Sequence, residues 1–328
     1  MQLVWAENVV RKENKPVLIL TPLAVSAQTI REGKKFNIEC EQSREGKVSK
    51  NITITNYERL HYFNPDNFIG VVCDESSAIK AFDGKRRKEV TRFLSKIKYR
   101  LMCSATPSPN DHIELGTTSE ALGYINQSEM LSMFFRSDDK CRHSLFKEGD
   151  FWNRNKWFFR AHAELPFWRW VCSWARAIRK PSDLENYYDD TKFILPELKI
   201  NQHIVINNKL PFGELFPIVA KTLREQIEER KLTMQERCSK VAELVKHNNP
   251  AVVWCQYNEE GNVLENMIPD SVQVAGCDTD EDKEERLNAF TMGKVRVIIT
   301  KQRIAGWGLN WQHCGHHTFY PSHSFEQY

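Results

Sequence analysis

Short apolar runs, each closed by a turn residue or an acid and followed by residues at helical spacing, constrain this chain more than any other feature. PVLILT at 16–21 is bounded by Pro16 and Pro22, NITIT covers 51–55, FIGVVCDE 68–75 and YRLMCSAT 99–106. Helical spacing follows the first run from about Leu23 and fills KRRKEVTRFLSKI, 85–97. Apolar runs without polar alternation read as strands buried on both faces, and strands alternating with helices read as a parallel sheet with both faces covered. The same alternation resumes in AVVWCQY (251–257), NEEGNVLENMI, SVQVAG, DEDKEERLNAFTMG closed by Gly293, VRVIIT (295–300) and HHTFY (316–320). A helical region from about Phe216 to His247 precedes it, with Thr233 and Glu236 at capping-box spacing where one helix gives way to another. The expectation is an α/β chain with two parallel-sheet lobes, 1–125 and 201–328, and a helical insert and linker over 126–200.

The insert differs in composition. The net charge of +3 hides ten Lys or Arg against three acids between Lys140 and Lys180, in a stretch that also holds five of the nine tryptophans. Cations interleaved with aromatic faces suit a nucleic-acid strand, since phosphates attract the former and bases stack on the latter. Arg154, Lys156 and Arg160 are the basic residues expected to touch nucleic acid. The aromatics have a second reading, because 167, 170, 171, 174, 175 and 178 form a helical stripe that suits a core, with Pro166 placed to open the helix. Nine scattered cysteines without a C-x-x-C pair fit a reducing compartment, and no apolar run is long enough for a membrane span. With no signal-peptide pattern at the start, the expected location is cytoplasmic.

Three runs at strand ends carry chemistry. Asp74 and Glu75 close FIGVVCDE, at the carboxyl rim where open α/β sheets bind ligands, and two acids there can divide nucleotide hydrolysis between holding Mg²⁺ and orienting water. LMCSATPSPND places Ser104 and Thr106 after the next strand, within reach of those acids. ITKQRIAGWGLNWQ, 299–312, follows VRVII, with Gly306 and Gly308 permitting close backbone approach and Lys301 and Asn310 able to meet phosphates. Cys314, His316 and His317 have metal-ligand side chains, but a strand cannot turn all three to one side. No Ser-His-Asp or Cys-His pairing occurs at a recognisable nucleophile motif.

These runs, in this order, resemble the superfamily two helicases and translocases, which have two RecA-like lobes, and within them the Swi/Snf-like branch with its phage-encoded members. LILTPLAVSAQ looks like motif Ia, ITNYERL like the DNA-contacting motif after it, DESSAIK like a DEAH-type box, SAT like motif III, VVWCQY like motif IV and TKQRIAGWGLN like motif V. IRKPSDL followed by ILPEL is similar to the elements bridging the lobes in that branch, which favours double-stranded DNA as the partner. The resemblance implies ATP and Mg²⁺ as cofactors, Asp74 holding Mg²⁺ through water, Glu75 as catalytic base, and Ser104, Thr106, Gly306 and Gly308 coupling hydrolysis to lobe movement. It implies DNA contacts from Thr21, Pro22, Leu23, Asn56, Lys301 and Asn310, with the first three opening a helix whose N-terminus meets a phosphate.

Two family elements are missing from these 328 residues. No G-x-x-x-x-G-K-[ST] loop occurs, since each Gly-Lys is followed by Lys, Val or Arg, and PSHSFEQY resembles the approach to motif VI without its arginines. The expectation is therefore a fragment of an ATPase, truncated before motif I and after motif V and inactive alone, or else a non-catalytic DNA-binding scaffold derived from a helicase. No membrane partner is expected, and protein partners are left open.

Overall fold

The computed structural model describes residues 1–80, 84–108, 111–137, 157–205 and 222–318. They form two compact units, one of Met1–Leu122 with Val205–Tyr328 and one of Gly123–Ile204. The chain is α/β, as its alternation implied: the larger unit holds two sheets, all of whose described strands pair in parallel.

The first sheet has strands β1 (Val17–Thr21), β2 (Cys40–Gln42), β3 (Ile52–Asn56), β4 (Gly70–Cys73) and β5 (Tyr99–Met102), in the order β2-β3-β1-β4-β5. Alternate side chains go to opposite faces of a strand. Leu18, Leu20, Val71 and Cys73 therefore pack with Val90, Phe93 and Leu94 of helix Lys85–Leu94, whereas Val17, Ile19, Ile52, Ile54 and Val72 pack with Leu3, Ala6 and Val9 of α1 (Gln2–Glu13). Each fully buried Val, Leu or Ile contributes about 1.5–3 kcal/mol. Helix α1 stops at Asn14, which takes the left-handed conformation and returns its N–H to the Val10 carbonyl. The residues after β1 begin differently from expectation. Leu23–Val25 is a 3₁₀ turn, and α2 proper runs Ser26–Lys35, with Thr21 Oγ1 and Ser26 Oγ paired at 2.8 Å inside the fold. Helices α3 (Lys85–Leu94) and α4 (Leu115–Leu122) complete this side.

In the smaller unit, α5 (Gln127–Phe134) leads into an antiparallel pair, β6 (Phe135–Ser137) and β7 (Trp157–Phe159), and then α6 (Glu164–Trp174). Its core is aromatic: Phe167 is fully buried among Phe134, Phe135, Phe159 and Trp170. The stripe from 167 thus packs inward, but α6 ends at Trp174, and Ala175 is already extended, so 175 and 178 are not on it. Arg160 donates from Nε to the Phe135 carbonyl and from its backbone N–H to the Phe134 carbonyl. Arg154 and Lys156 lie outside the described residues. ILPELK has no regular structure.

The second sheet follows two helices, α7 (Leu223–Leu232) and α8 (Met234–Leu244), which break at Thr233. The expected capping box is not what makes the break, since the Thr233 hydroxyl donates back to the Glu229 carbonyl. The capping box is at Thr222 and Glu225, opening α7, and 206–221 lie outside the described residues. Strands β8 (Ala251–Trp254), β9 (Ser271–Val274), β10 (Val297–Thr300) and β11 (His316–Thr318) take the order β11-β8-β10-β9, with α9 (Asn258–Met267) after β8 and α10 (Asp280–Thr291) after β9. Ala251, Val253, Val297 and Ile299 face α8 and α9, and Val252 and Ile298 face Leu287, Phe290 and Trp311. No helix among the described residues is long and apolar enough to cross a membrane.

Candidate active site

The first sheet ends in an acid turn held from four directions. Asp74 continues β4, its N–H bonding the Leu20 carbonyl at 2.8 Å, while its own carbonyl accepts the Tyr57 hydroxyl at 2.6 Å. Its Oδ1 accepts the Gln2 side-chain amide at 2.5 Å and the Glu75 N–H at 3.0 Å, leaving Oδ2 outside these bonds. Glu75 then takes φ +50°, a left-handed conformation unusual for a side chain with a Cβ and worth about 1–2 kcal/mol of backbone strain. The turn is kept by the Ser76 N–H on the Cys103 carbonyl at 2.8 Å. It carries the Glu75 carboxylate to the end of β5, where Ser104 and Ser77 both donate to Oε1 at 2.8 Å. The Thr106 N–H in turn bonds Ser104 Oγ at 3.0 Å.

Burial is the main influence on Asp74, pushing its carboxyl above the ordinary value, while the Gln2 amide works in the opposite direction. The same burial pushes the Cys73 thiol up to about 12 and Cys103 up to about 11, and raises the Tyr57 phenol well above its usual range. These neighbours therefore stay neutral. Two consecutive carboxylates after β4, each with one oxygen outside these bonds among the described residues, are a hard-oxygen donor set that fits a divalent cation such as Mg²⁺.

The remaining residues singled out by sequence fall around this rim and the corresponding rim of the second sheet. Thr21 is fully buried with its hydroxyl committed to Ser26, and Pro22 precedes the 3₁₀ turn that Leu23 begins. Asn56, in register with Thr21 at the end of β3, is buried, and its Oδ1 has no partner among the described residues. On the second sheet, Lys301 Nζ donates to Asn258 Oδ1 at 2.6 Å. Gly306 sits where a Cβ would collide with the Gln302 carbonyl, and Gly308, at φ +67°, where a Cβ would lie 2.8 Å from Val25 Cγ2. The Asn310 N–H reaches Gln28 Oε1 at 3.1 Å, and Lys80 Nζ stands 5.9 Å from the centre of the Trp307 ring. Loop 306–310 therefore meets the first sheet's side at Val25, Gln28 and Lys80.

Sequence reasoning missed Gln2, Tyr57 and Ser77. Ser77 was within reach, two residues beyond Glu75 in DESS, but Gln2 lies 72 positions from Asp74 and has no local signal. Among the described residues no three His, Cys, Asp or Glu side chains gather as a metal-binding group. His316 instead pairs with His247 at 3.0 Å, His317 accepts from Trp254 Nε1 at 3.4 Å, and Cys314 is buried.

No family model and no curated protein matches the chain. Solved structures do. The SWI2/SNF2 ATPase core of Sulfolobus solfataricus, determined with double-stranded DNA, matches at 15% identity and a TM-score of 0.38, over 96% of this chain and 74% of that one. UvsW of T4 matches at 12% identity and 0.28, over 96% of this chain and 54% of its own. A hypothetical ATP-dependent RNA helicase of Sulfolobus tokodaii matches at 12% and 0.28, over 94% and 72%.

Proposed function

We propose that this chain carries the hydrolytic centre of an ATP-dependent DNA translocase or helicase. The observation that supports the reading best is the acid turn: Glu75 is held in a left-handed conformation and fixed by two serine hydroxyls, while Asp74 Oδ2 has no bond among the described residues. Strain maintained by surrounding bonds is characteristic of functional sites.

In this reading Asp74 would hold Mg²⁺, which when bound would supply charge neutralisation at the transferring phosphate. Glu75 accepts the proton of the attacking water, its carboxylate aimed by Ser77 and Ser104 rather than free to rotate. Gln2 keeps Asp74 oriented and supports its ionised form. Ser104 is also bonded by the Thr106 N–H, so a shift of the segment after β5 moves the hydroxyl that aims the base; this is how Ser104 and Thr106 couple hydrolysis to motion. Gly308 lets the second sheet's loop approach Val25 on the first sheet's side, Gly306 lets that loop fold closely on Gln302, and the two lobes, 1–125 and 201–328, close and open with the nucleotide. DNA meets the carboxyl-end segments at Pro22, Leu23, Asn56, Lys301 and Asn310, with Arg154, Lys156 and Arg160 adding phosphate contacts; the buried Thr21 hydroxyl contributes by shaping the turn.

The test is ATP hydrolysis with and without double-stranded DNA, for these 328 residues and for the chain in its natural reading frame. DNA-stimulated turnover in the natural frame supports the reading. Tight DNA binding with no turnover in either form replaces it with the scaffold reading.

A further inference from the structure

Away from the acid turn, charge is sorted between the two sheets' sides. Arg31 of α2, Arg44 after β2 and Arg59 of the 3₁₀ turn Tyr57–Tyr62 all face α10 of the second sheet. Arg44 pairs with Glu281 at 3.2 Å and with Glu284, and Gln42 donates to Glu284 at 3.3 Å. Arg59 lies 3.5 Å from Asp280 and 3.4 Å from Glu281, and Arg31 donates to Asn288 at 2.6 Å. Residues 280, 281, 284 and 288 share one face of a helix.

The basic residues of α10 bond within the second sheet's own side. Lys283 donates to the Gly276 carbonyl at 3.1 Å and lies 3.9 Å from Asp280, and Arg286 bonds the Gln273 carbonyl at 2.7 Å and Asp278 at 3.0 Å. Cations thus come from the first sheet's side and the anions facing them from α10. Apolar contact beside the charges is narrow: Ala24 packs against the cluster that holds Leu287, and Val25 lies over Gly308. The paired side chains are partly exposed, so their share of the hold is sensitive to screening.

We propose that the acidic face of α10 is an ionic clasp that holds the two sheets of the larger unit in the arrangement seen and releases when its charges are screened. The clasp does not depend on the ATPase reading, because it is defined by a distance rather than by turnover.

The test places spin labels on the full chain at Cys277 and at Lys96→Cys, both exposed positions on opposite sheets, in a background with Cys40, Cys103, Cys141 and Cys172 changed to Ser, and reads the distance distribution by pulsed electron resonance. At about 0.1 M salt, where the Debye length is about 10 Å, a single narrow distance is expected; at about 1 M, where it is about 3 Å, a longer and broader one. Arg44→Glu with Arg59→Glu gives the long distribution at low salt, and adding Glu281→Arg with Glu284→Arg restores the short one. A distribution indifferent to salt, or a folded four-residue swap that does not restore it, overturns the clasp. Should the reversed variants fail to fold by circular dichroism, the salt series on the unreversed chain decides.

Discussion

The carboxyl ends of the two sheets are built by opposite means. At the first, side chains hold side chains: Gln2 grips Asp74, and Ser77 and Ser104 grip Glu75, so the acids are set before any ligand arrives. At the second, loop 306–310 is shaped by glycine and leans through Trp307, Gly308 and the Asn310 backbone on Lys80, Val25 and Gln28 across the gap. A preorganised rim suits bond breaking, where misplacement of the reacting group is costly. A rim that gains its contacts from the other sheet suits reporting whether the two are together. In the proposed reading, chemistry belongs to one strand end and communication to the other.

Four substitutions at the two rims break or sharpen this contrast, and a fifth tests the smaller unit. The largest effect on the second rim is expected from Gly308→Val, which forces a β-branched residue to positive φ and into Val25; the loop should lose its docked position, at a cost of about 2 kcal/mol or more. Thermal unfolding and hydrogen exchange at 306–310 measure it, and an unchanged melting temperature would mean the loop does not dock. On the first rim, Ser104→Ala removes one of two hydroxyls on Glu75, and the lost bond to a charged acceptor is worth about 1.5–3 kcal/mol. Turnover should fall with little change in nucleotide binding, whereas Thr106→Ala, whose contact is through its backbone, should be milder.

Smaller still is Gln2→Ala. The Gln2 amide bonds the ionised Asp74 and lowers a pKa that burial has raised, so its loss should raise that pKa further. The acid limb of a pH–rate profile then moves to higher pH; a shift to lower pH would remove Gln2 from the site. The smallest concerns the other unit. Lys180 and Ser182 hold the Asp190 carboxyl down at about 2, so its contribution to stability is present above the ordinary value of 3.8 and is lost as pH falls toward 2. Carboxyl titration by NMR should show that midpoint in the native chain, and Asp190→Asn should be insensitive to pH over the same interval.

The architecture was legible because buried parallel strands are continuous apolar runs: 16–21, 51–55, 68–75 and 99–106 each contain a strand within a few residues of the expected ends. The edge strand β2, Cys40–Gln42, was not, since CEQ at a sheet margin carries polar residues and no apolar run. The helix after Thr21 was expected three residues early, because apolar spacing does not separate a 3₁₀ turn from the α-helix that continues it. At the site, Asp74, Glu75 and Ser104 could be read because strand ends and hydroxyl spacing are local signals. Gln2 and Tyr57 could not, because only folding brings α1 and the turn after β3 to Asp74. The charge sorting on α10 was equally hidden, since DEDKEER shows both signs and only the docked helix shows which face holds the acids.

The central claim is that Glu75 is the base and Asp74 the cation-holding acid of one hydrolytic centre, and Glu75→Gln in the natural reading frame tests it most directly. Titration with a fluorescent ATP analogue and Mg²⁺, run beside a turnover assay, should show nucleotide affinity close to the unaltered chain and turnover lower by about 10²–10⁴-fold. Turnover that persists in Glu75→Gln would contradict the assignment.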